Sequence, residues 1–180
     1  LDKGLTGDLA RTTKKSLYKH QQEALDQVHN HYKEHDRGKL IMACGTGKTF
    51  TSLRIAEKET NGEGLVLFLV PSIALLGQTL REWSSDTIGG ISPICICSDS
   101  RITRKHTKYE DSVLTSVVDL ALPASTDVEQ INKQFEHLKH SKKTGMIVVF
   151  STYQSINVIA EAQSELIRRN KKNGYGVFDL

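Results

Sequence analysis

The sequence has few of the features that mark secreted, disulfide-bonded or membrane proteins. It holds three cysteines in 180 residues, an odd number that cannot all pair. Its apolar runs stay well below the ~18 residues of a membrane-spanning helix, and it shows no secretory leader. We therefore expect reduced cysteines and a soluble, cytoplasmic protein whose core needs no disulfide.

The histidine and charge patterns identify neither a metal site nor a nucleic-acid partner. His29, His31 and His35 lie close together, but no cysteine or carboxylate completes a tetrahedral zinc set with them. The net charge of +3 is too small to identify a nucleic-acid partner, and a run of like charge is more often a solvated surface than a binding patch. Basic residues nevertheless cluster in three stretches, at 101–108, 139–143 and 168–172.

Apolar periodicity predicts strands that alternate with helices. The predicted strands are 39–43, 65–70, 94–97, 146–150 and 175–180, and the predicted helices are 17–35, 49–59, 73–83, 128–140 and 153–169. This alternation is typical of an α/β fold with a mainly parallel sheet flanked by helices on both faces. Cys95 and Cys97 alternate within one predicted strand and so share a face.

The domain organisation follows from where strands and helices alternate along the chain. Residues 1–16 are polar and lack an apolar stripe, so we expect a linker or N-terminal arm. Residues 17–180 form the predicted domain. The stretch 98–145 fits the alternation poorly, apart from its helix 128–140, and we interpret it as a family-specific insertion. The first residue is not methionine, which indicates a fragment.

One strand-to-helix turn carries the chemistry of a phosphate loop. Glycines let successive backbone amides turn toward phosphate oxygens, and the start of the helix adds a partial positive charge. Lys48 then neutralises the β and γ phosphates of ATP, and Thr49 holds the accompanying magnesium ion. Met42 stands where the full motif opens with glycine. The inner residues of the predicted cradle are all present, namely Gly45, Thr46, Gly47, Lys48 and Thr49.

Segments before and after this turn resemble motifs of superfamily 2 helicases and translocases. Residues 17–24 are similar to the Q motif, which implies that Gln21 reads the adenine edge, with Gln22 as the alternative in the other register. Residues 70–78 resemble motif Ia and residues 150–155 resemble motif Ib. These two resemblances imply nucleic-acid contacts at helix starts, with simple capping as the alternative; the residues concerned are Pro71, Ser72, Ser151, Thr152 and Tyr153.

The amino-acid sequences of these motifs are similar to those in the motor of Type ISP enzymes, which are single-polypeptide, Type I-like restriction-modification enzymes. This resemblance implies an N-terminal RecA-like domain that hydrolyses ATP to translocate along duplex DNA, with Lys48 and Thr49 at the catalytic centre. It also implies a parent chain that carries a second RecA-like domain, a nuclease, a methyltransferase and a target-recognition domain.

The end of the sequence bears on catalysis. Residues 175–180 resemble the strand that leads into a DEAH-type motif, so we expect the chain to be truncated before the carboxylates of that motif. Asp179 lies too early in the strand for that role. The isolated chain is therefore expected to bind ATP and magnesium without appreciable turnover.

Three other functions stay open at this point. The chain could belong to a superfamily 2 helicase of another pathway, to a phosphate-loop kinase or NTPase that needs no nucleic acid, or to a non-catalytic nucleic-acid-binding module. For Trp83 and Tyr109 we expect packing rather than stacking on bases. Cys44 is interpreted as a small filler of the loop rather than a reactive thiol.

Overall fold

The computed structural model describes residues 14–97, 124–140, 145–170 and 176–180. Their order along the chain confirms the predicted alternation of helices and strands. The elements are α1 (Lys19–Tyr32), α2 (Lys48–Glu59), β1 (Leu65–Val70), α3 (Ile73–Asp86), β2 (Ile91–Ile96), α4 (Val128–His140), β3 (Met146–Thr152), a 3-10 turn (Tyr153–Ser155) and α5 (Ile156–Arg169).

The three strands form a parallel sheet in the order β1-β3-β2. The register places Val70 of β1 beside Thr152 of β3, so both strands end at the same edge. Residues 178–180 continue the sheet beyond β1, because Asp179 N donates to Leu65 O at 2.8 Å and Leu67 N donates to Leu180 O at 2.9 Å. The predicted strand over 175–180 is correct only in part: Asp179 and Leu180 hydrogen-bond to β1, but none of the described residues 176–180 forms a regular strand.

Helices cover both faces of the sheet, as the nearly continuous apolar strands predict. On one face β1 and β3 pack against α2 and α3, with Leu53, Leu76 and Trp83 fully buried. On the other face the sheet packs against α4 and α5, with Ile131 and Leu166 fully buried. Each such side chain contributes roughly 1.5–3 kcal/mol of transfer free energy, so the fold is stabilised from both sides.

Helix α4 lies inside the stretch interpreted as an insertion. Its Ile131 and Phe135 are buried in the core beneath the sheet, and the helix contacts β2 and α5. The described end of that stretch is therefore part of the domain core. The start of the stretch, residues 1–13 of the predicted N-terminal arm, the basic cluster at 101–108 and Tyr109 lie outside the described residues.

The predicted strand at 39–43 is wrong. This segment pairs with no strand among the described residues, and its Ile41 is 80 % exposed. A strand requires a neighbour that takes up its backbone hydrogen bonds, and the outer edge of β1 is already bonded to residues 178–180. Apolar composition favoured a strand here, but composition does not supply the partner that a strand needs.

The cysteines follow the predicted pattern in part. None of the three cysteines is in a disulfide, and Cys95 and Cys97 are buried in the same core cluster. Burial raises the pKa of the Cys95 thiol to about 12, and the neighbouring Cys97 adds to the shift. Cys44 is exposed, so it fills no space in the loop. Within the described part of the chain, no helix has the length and apolar character of a membrane span.

Candidate functional site

The turn before α2 has the backbone of a phosphate cradle. Gly45 and Gly47 adopt left-handed backbone conformations, with φ of 76° and 78°, which residues other than glycine rarely adopt. Gly47 then caps α2 without any side-chain acceptor. The first amides of a helix have no partner within the helix, so they remain available for an anion. Lys48 Nζ donates to the Ala43 carbonyl at 2.9 Å, which places its charge over the turn.

Gln21 of α1 holds this turn from the side. Its side chain is only 3 % exposed; Nε2 donates to Thr46 O at 3.0 Å and Oε1 accepts from Tyr18 N at 2.9 Å. A Cβ added at Gly47 would collide with Nε2 of Gln21, so this close approach requires glycine. Gln22, the alternative in the Q-like segment, is exposed and bonds Asp26 on its own helix.

A cavity of about 880 Å³ opens beside the cradle. It is lined by Gly45, Gly47, Lys48 and Thr49, and its far wall comes from α1 and α3. The predicted cofactor residues other than Thr46 therefore share one space with Gln21. The remaining polar wall is formed by Lys15, Tyr18, Gln78, Glu82 and Asp86.

A polar network fixes one wall of this cavity. Lys15 Nζ lies 2.8 Å from Asp86 Oδ2, and the hydrogen bond and charge of Asp86 raise the pKa of Lys15. Arg54 of α2 forms an ion pair with Glu57 and donates to the main-chain carbonyl of Asp86 at 3.1 Å. The segment before α1 is thereby held against α2 and α3, next to the cradle.

A second candidate surface lies where β1 and β3 end. Pro71 and Ser72 follow β1, Tyr153 follows β3, and the pairing of Val70 with Thr152 brings these ends side by side. Pro71 and Ser72 are exposed, and Ser72 Oγ accepts from Leu75 N at 3.3 Å as the cap of α3. Tyr153 is 55 % exposed.

The other two residues predicted at this edge point inward. Ser151 is fully buried, and its hydroxyl donates to Ile96 O on the neighbouring strand. Thr152 is buried as well, with Oγ1 3.5 Å from Ser155 Oγ. Their hydroxyls therefore serve the sheet and the turn in this structure, and Tyr153 is the exposed member of the group.

Sequence reasoning missed the contacts that support the cradle. Trp83 is buried as predicted, but its Nε1 also donates to Thr49 O at 3.1 Å, and His20 Nε2 lies 3.2 Å from Thr46 O. No local pattern reveals these contacts, since each joins residues far apart in the chain. Only Gln21 carried a signal, through its place in the Q-like segment.

The fold and the cradle together define a phosphate-loop, RecA-like α/β domain. Residues 14–179 match the protein family described as Type III restriction enzyme, res subunit, and the chain belongs to that family. It is a helicase-like domain. The match extends from the segment before α1 to the strand end at Asp179, so it includes both candidate sites.

Three proteins of known kind are similar to this chain. A structure of a nuclease-deletion mutant of the Type ISP restriction-modification enzyme LlaGI, in complex with a DNA substrate mimic, is 46 % identical with a TM-score of 0.69, over 84 % of this chain and 14 % of that one. The ATP-dependent Type ISP restriction-modification enzyme LlaBIII, bound to DNA, is 43 % identical with a TM-score of 0.72. That match covers 85 % of this chain and 10 % of the LlaBIII chain. A probable helicase of African swine fever virus is 26 % identical over 157 residues, 87 % of this chain and 16 % of the viral protein.

These matches confirm the resemblance to Type ISP motors and the fold class. The chain spans 16 % or less of the length of each of these relatives.

Proposed function

We propose that this chain is the ATP-binding part of a DNA-dependent ATPase that translocates along duplex DNA, in a restriction-modification enzyme of the Type ISP kind. The observation that carries the proposal is the cradle at residues 45–49, which has two left-handed glycines, Lys48 over the turn and a cavity beside it. The similarity to LlaBIII, a DNA-bound ATP-dependent enzyme, supports the same reading.

The cradle residues fit ATP with magnesium. The amides at Gly45, Thr46 and Gly47 and the start of α2 offer donors to phosphate oxygens. Lys48 would exchange the neutral Ala43 carbonyl for a phosphate oxygen, and its ammonium binds an anionic acceptor more strongly than a neutral one. Thr49 would supply its hydroxyl to the magnesium ion, which itself neutralises charge on the phosphates.

Gln21 is proposed to recognise the adenine base. A primary amide has two N–H donors and an oxygen with two lone pairs, and the bonds to Thr46 and Tyr18 use one of each. One donor and one acceptor remain, which is the pair that the outer edge of adenine requires. Gln22 does not line the cavity, so the geometry favours the register with Gln21.

The nucleic-acid surface is proposed at the ends of β1 and β3, on Pro71, Ser72 and Tyr153, with Ser151 and Thr152 shaping the turn beneath. Exposed helix starts contact phosphates through backbone amides without basic side chains. Such contacts ignore base sequence, which suits an enzyme that moves along DNA. The isolated chain should bind duplex DNA weakly and with strong salt dependence.

Nucleotide binding can be tested with a fluorescent ADP analogue and a matched pair of variants. Lys48→Ala should weaken binding about ten- to hundredfold, because one charge-assisted contact is worth roughly 1.5–3 kcal/mol. Lys58→Ala removes the same charge from an exposed position in the last turn of the same helix and should bind like the unmodified chain. Equal affinity of all three proteins would disprove the nucleotide site.

A further inference from the structure

Helix α3 joins the two candidate surfaces. Ser72 caps its amino end at the exposed edge of the sheet, and Trp83 lies near its carboxyl end. Trp83 lies eleven positions after Ser72, a distance of about 16 Å along the helix axis. At that end, Trp83 Nε1 donates to the main-chain carbonyl of Thr49, the residue after Lys48, at 3.1 Å. One rigid element thus contacts both the proposed DNA surface and the phosphate cradle.

The position of the Trp83 ring is fixed by the sheet. The side chain is 1 % exposed, and its ring centroid lies 4.9 Å from that of Phe68 on β1 and 5.6 Å from that of Phe150 on β3. The N–H is the single polar group of an indole, and a buried donor without an acceptor is costly. The ring cannot shift without losing aromatic packing, and its N–H therefore restrains Thr49.

We infer that Trp83 is a positioning residue for the phosphate loop: it fixes the first turn of α2 against α3 and so places the Thr49 hydroxyl for the magnesium ion. Thr49 carries the bonded carbonyl and the hydroxyl on the same residue, so a displaced carbonyl displaces both. Through α3, the same bond ties the cradle to the proposed DNA surface at Ser72. This inference rests on the proposed nucleotide site and adds how that site is held and coupled.

The alternative is that Trp83 only fills the core. Phenylalanine separates the two roles, because Trp83→Phe keeps an aromatic ring against Phe68 and Phe150 but has no N–H. Phe68→Leu is the matched control, since it disturbs the same aromatic cluster and leaves the indole N–H in place. A purely structural role for Trp83 predicts that both variants behave alike once their stabilities are compared.

The test titrates both variants and the unmodified chain with the fluorescent ADP analogue, in excess magnesium and in a chelator. For Trp83→Phe we expect unchanged affinity in the chelator. Magnesium should tighten binding by this variant about three- to tenfold less than binding by the unmodified chain, which is the range given by one neutral hydrogen bond. Phe68→Leu should melt at a lower temperature yet keep the full magnesium effect. A magnesium effect that is equal in Trp83→Phe and the unmodified chain would overturn the inference.

Hydrogen exchange gives a readout that needs no nucleotide. In Trp83→Phe, amides in residues 48–55 should exchange faster, while those of β1 and β3 exchange as before. Unchanged exchange in residues 48–55 would overturn the inference even if the chain binds nucleotide. Faster exchange there, in a chain that shows no Lys48-dependent binding, would instead support the restraint and disprove the proposed function.

Discussion

The chain enters a helix through a polar turn at two comparable places, the phosphate cradle before α2 and the turn before α5, and the two turns differ in where their polar groups point. At the cradle, Gly45 and Gly47 turn the backbone outward beside a cavity of about 880 Å³. Before α5, Ser151 and Thr152 bond inward to the sheet and to Ser155. The local backbone thus decides whether the polar groups of such a turn face a cavity or the interior of the fold.

The two turns also differ in the contacts that hold them in place. The turn before α5 is stabilised by its own hydroxyls and by the register between β2 and β3. The cradle has no strand beside it among the described residues, and its support comes from side chains on other helices: Gln21 on α1 and Trp83 on α3. Changes in those helices should therefore reach the cradle and spare the other turn.

Gly47→Ala should break the cradle most strongly. The substitution forces a side chain into a left-handed conformation, which costs about 1–2 kcal/mol, and its Cβ displaces Gln21. Gly62→Ala is the matched control, because Gly62 has a φ of 74° with nothing within 4 Å of an added Cβ. Both variants should lose similar stability in denaturant, and Gly47→Ala alone should lose most of its affinity for the ADP analogue. If Gly62→Ala weakened binding equally, Gln21 would have no part in shaping the cradle.

Ser151→Ala tests the turn before α5. Removing the buried hydroxyl leaves Ile96 O without that bond and should lower the free energy of unfolding by about 1 kcal/mol, with no effect on DNA binding. Tyr153→Ala, at the exposed neighbour, should leave stability nearly unchanged and weaken binding to a duplex in low salt. Denaturant unfolding and fluorescence anisotropy measure the two effects. A drop in DNA affinity for Ser151→Ala at unchanged stability would contradict the inward role of Ser151.

Thiol reactivity should show the smallest effect. At about pH 8 a thiol reagent attacks the thiolate of an accessible cysteine; Cys44 is exposed, whereas Cys95 is buried with its pKa raised to about 12. We expect one fast-reacting cysteine per native chain, and a modest slowing of that reaction by magnesium and ADP, since Cys44 adjoins Gly45. Mass spectrometry of the labelled peptide identifies the site. Labelling of Cys95 at the same rate would contradict its burial.

Much of the fold followed from the sequence because its signals are local. The run at 65–70 predicted a buried strand and the glycines at 45 and 47 predicted a tight turn, and both are observed. The strand at 39–43 failed because pairing depends on a neighbour that periodicity does not reveal. The inward orientation of Ser151 could not be predicted for a similar reason, since its acceptor is Ile96 on another strand.

The supports of the site were the least predictable part. Gln21 was singled out by its resemblance to a motif, yet its bond to Thr46 joins residues 25 positions apart. The bond from Trp83 to Thr49 spans 34 positions. Such contacts arise only once α1, α2 and α3 have packed, so composition and spacing contain no trace of them.

The proposed function is tested most directly by steady-state phosphate release from residues 1–180 and from the full-length polypeptide that the proposal implies, each with and without duplex DNA. Turnover needs a carboxylate that activates water and an arginine that neutralises the transition state, and the arginine contributes roughly 10³–10⁵ in rate. The proposed function assigns both groups to other parts of the enzyme. The account predicts DNA-stimulated release by the full-length polypeptide, abolished by Lys48→Ala, and none by residues 1–180. DNA-stimulated turnover by residues 1–180 alone, or full-length turnover that ignores either DNA or Lys48, would contradict it.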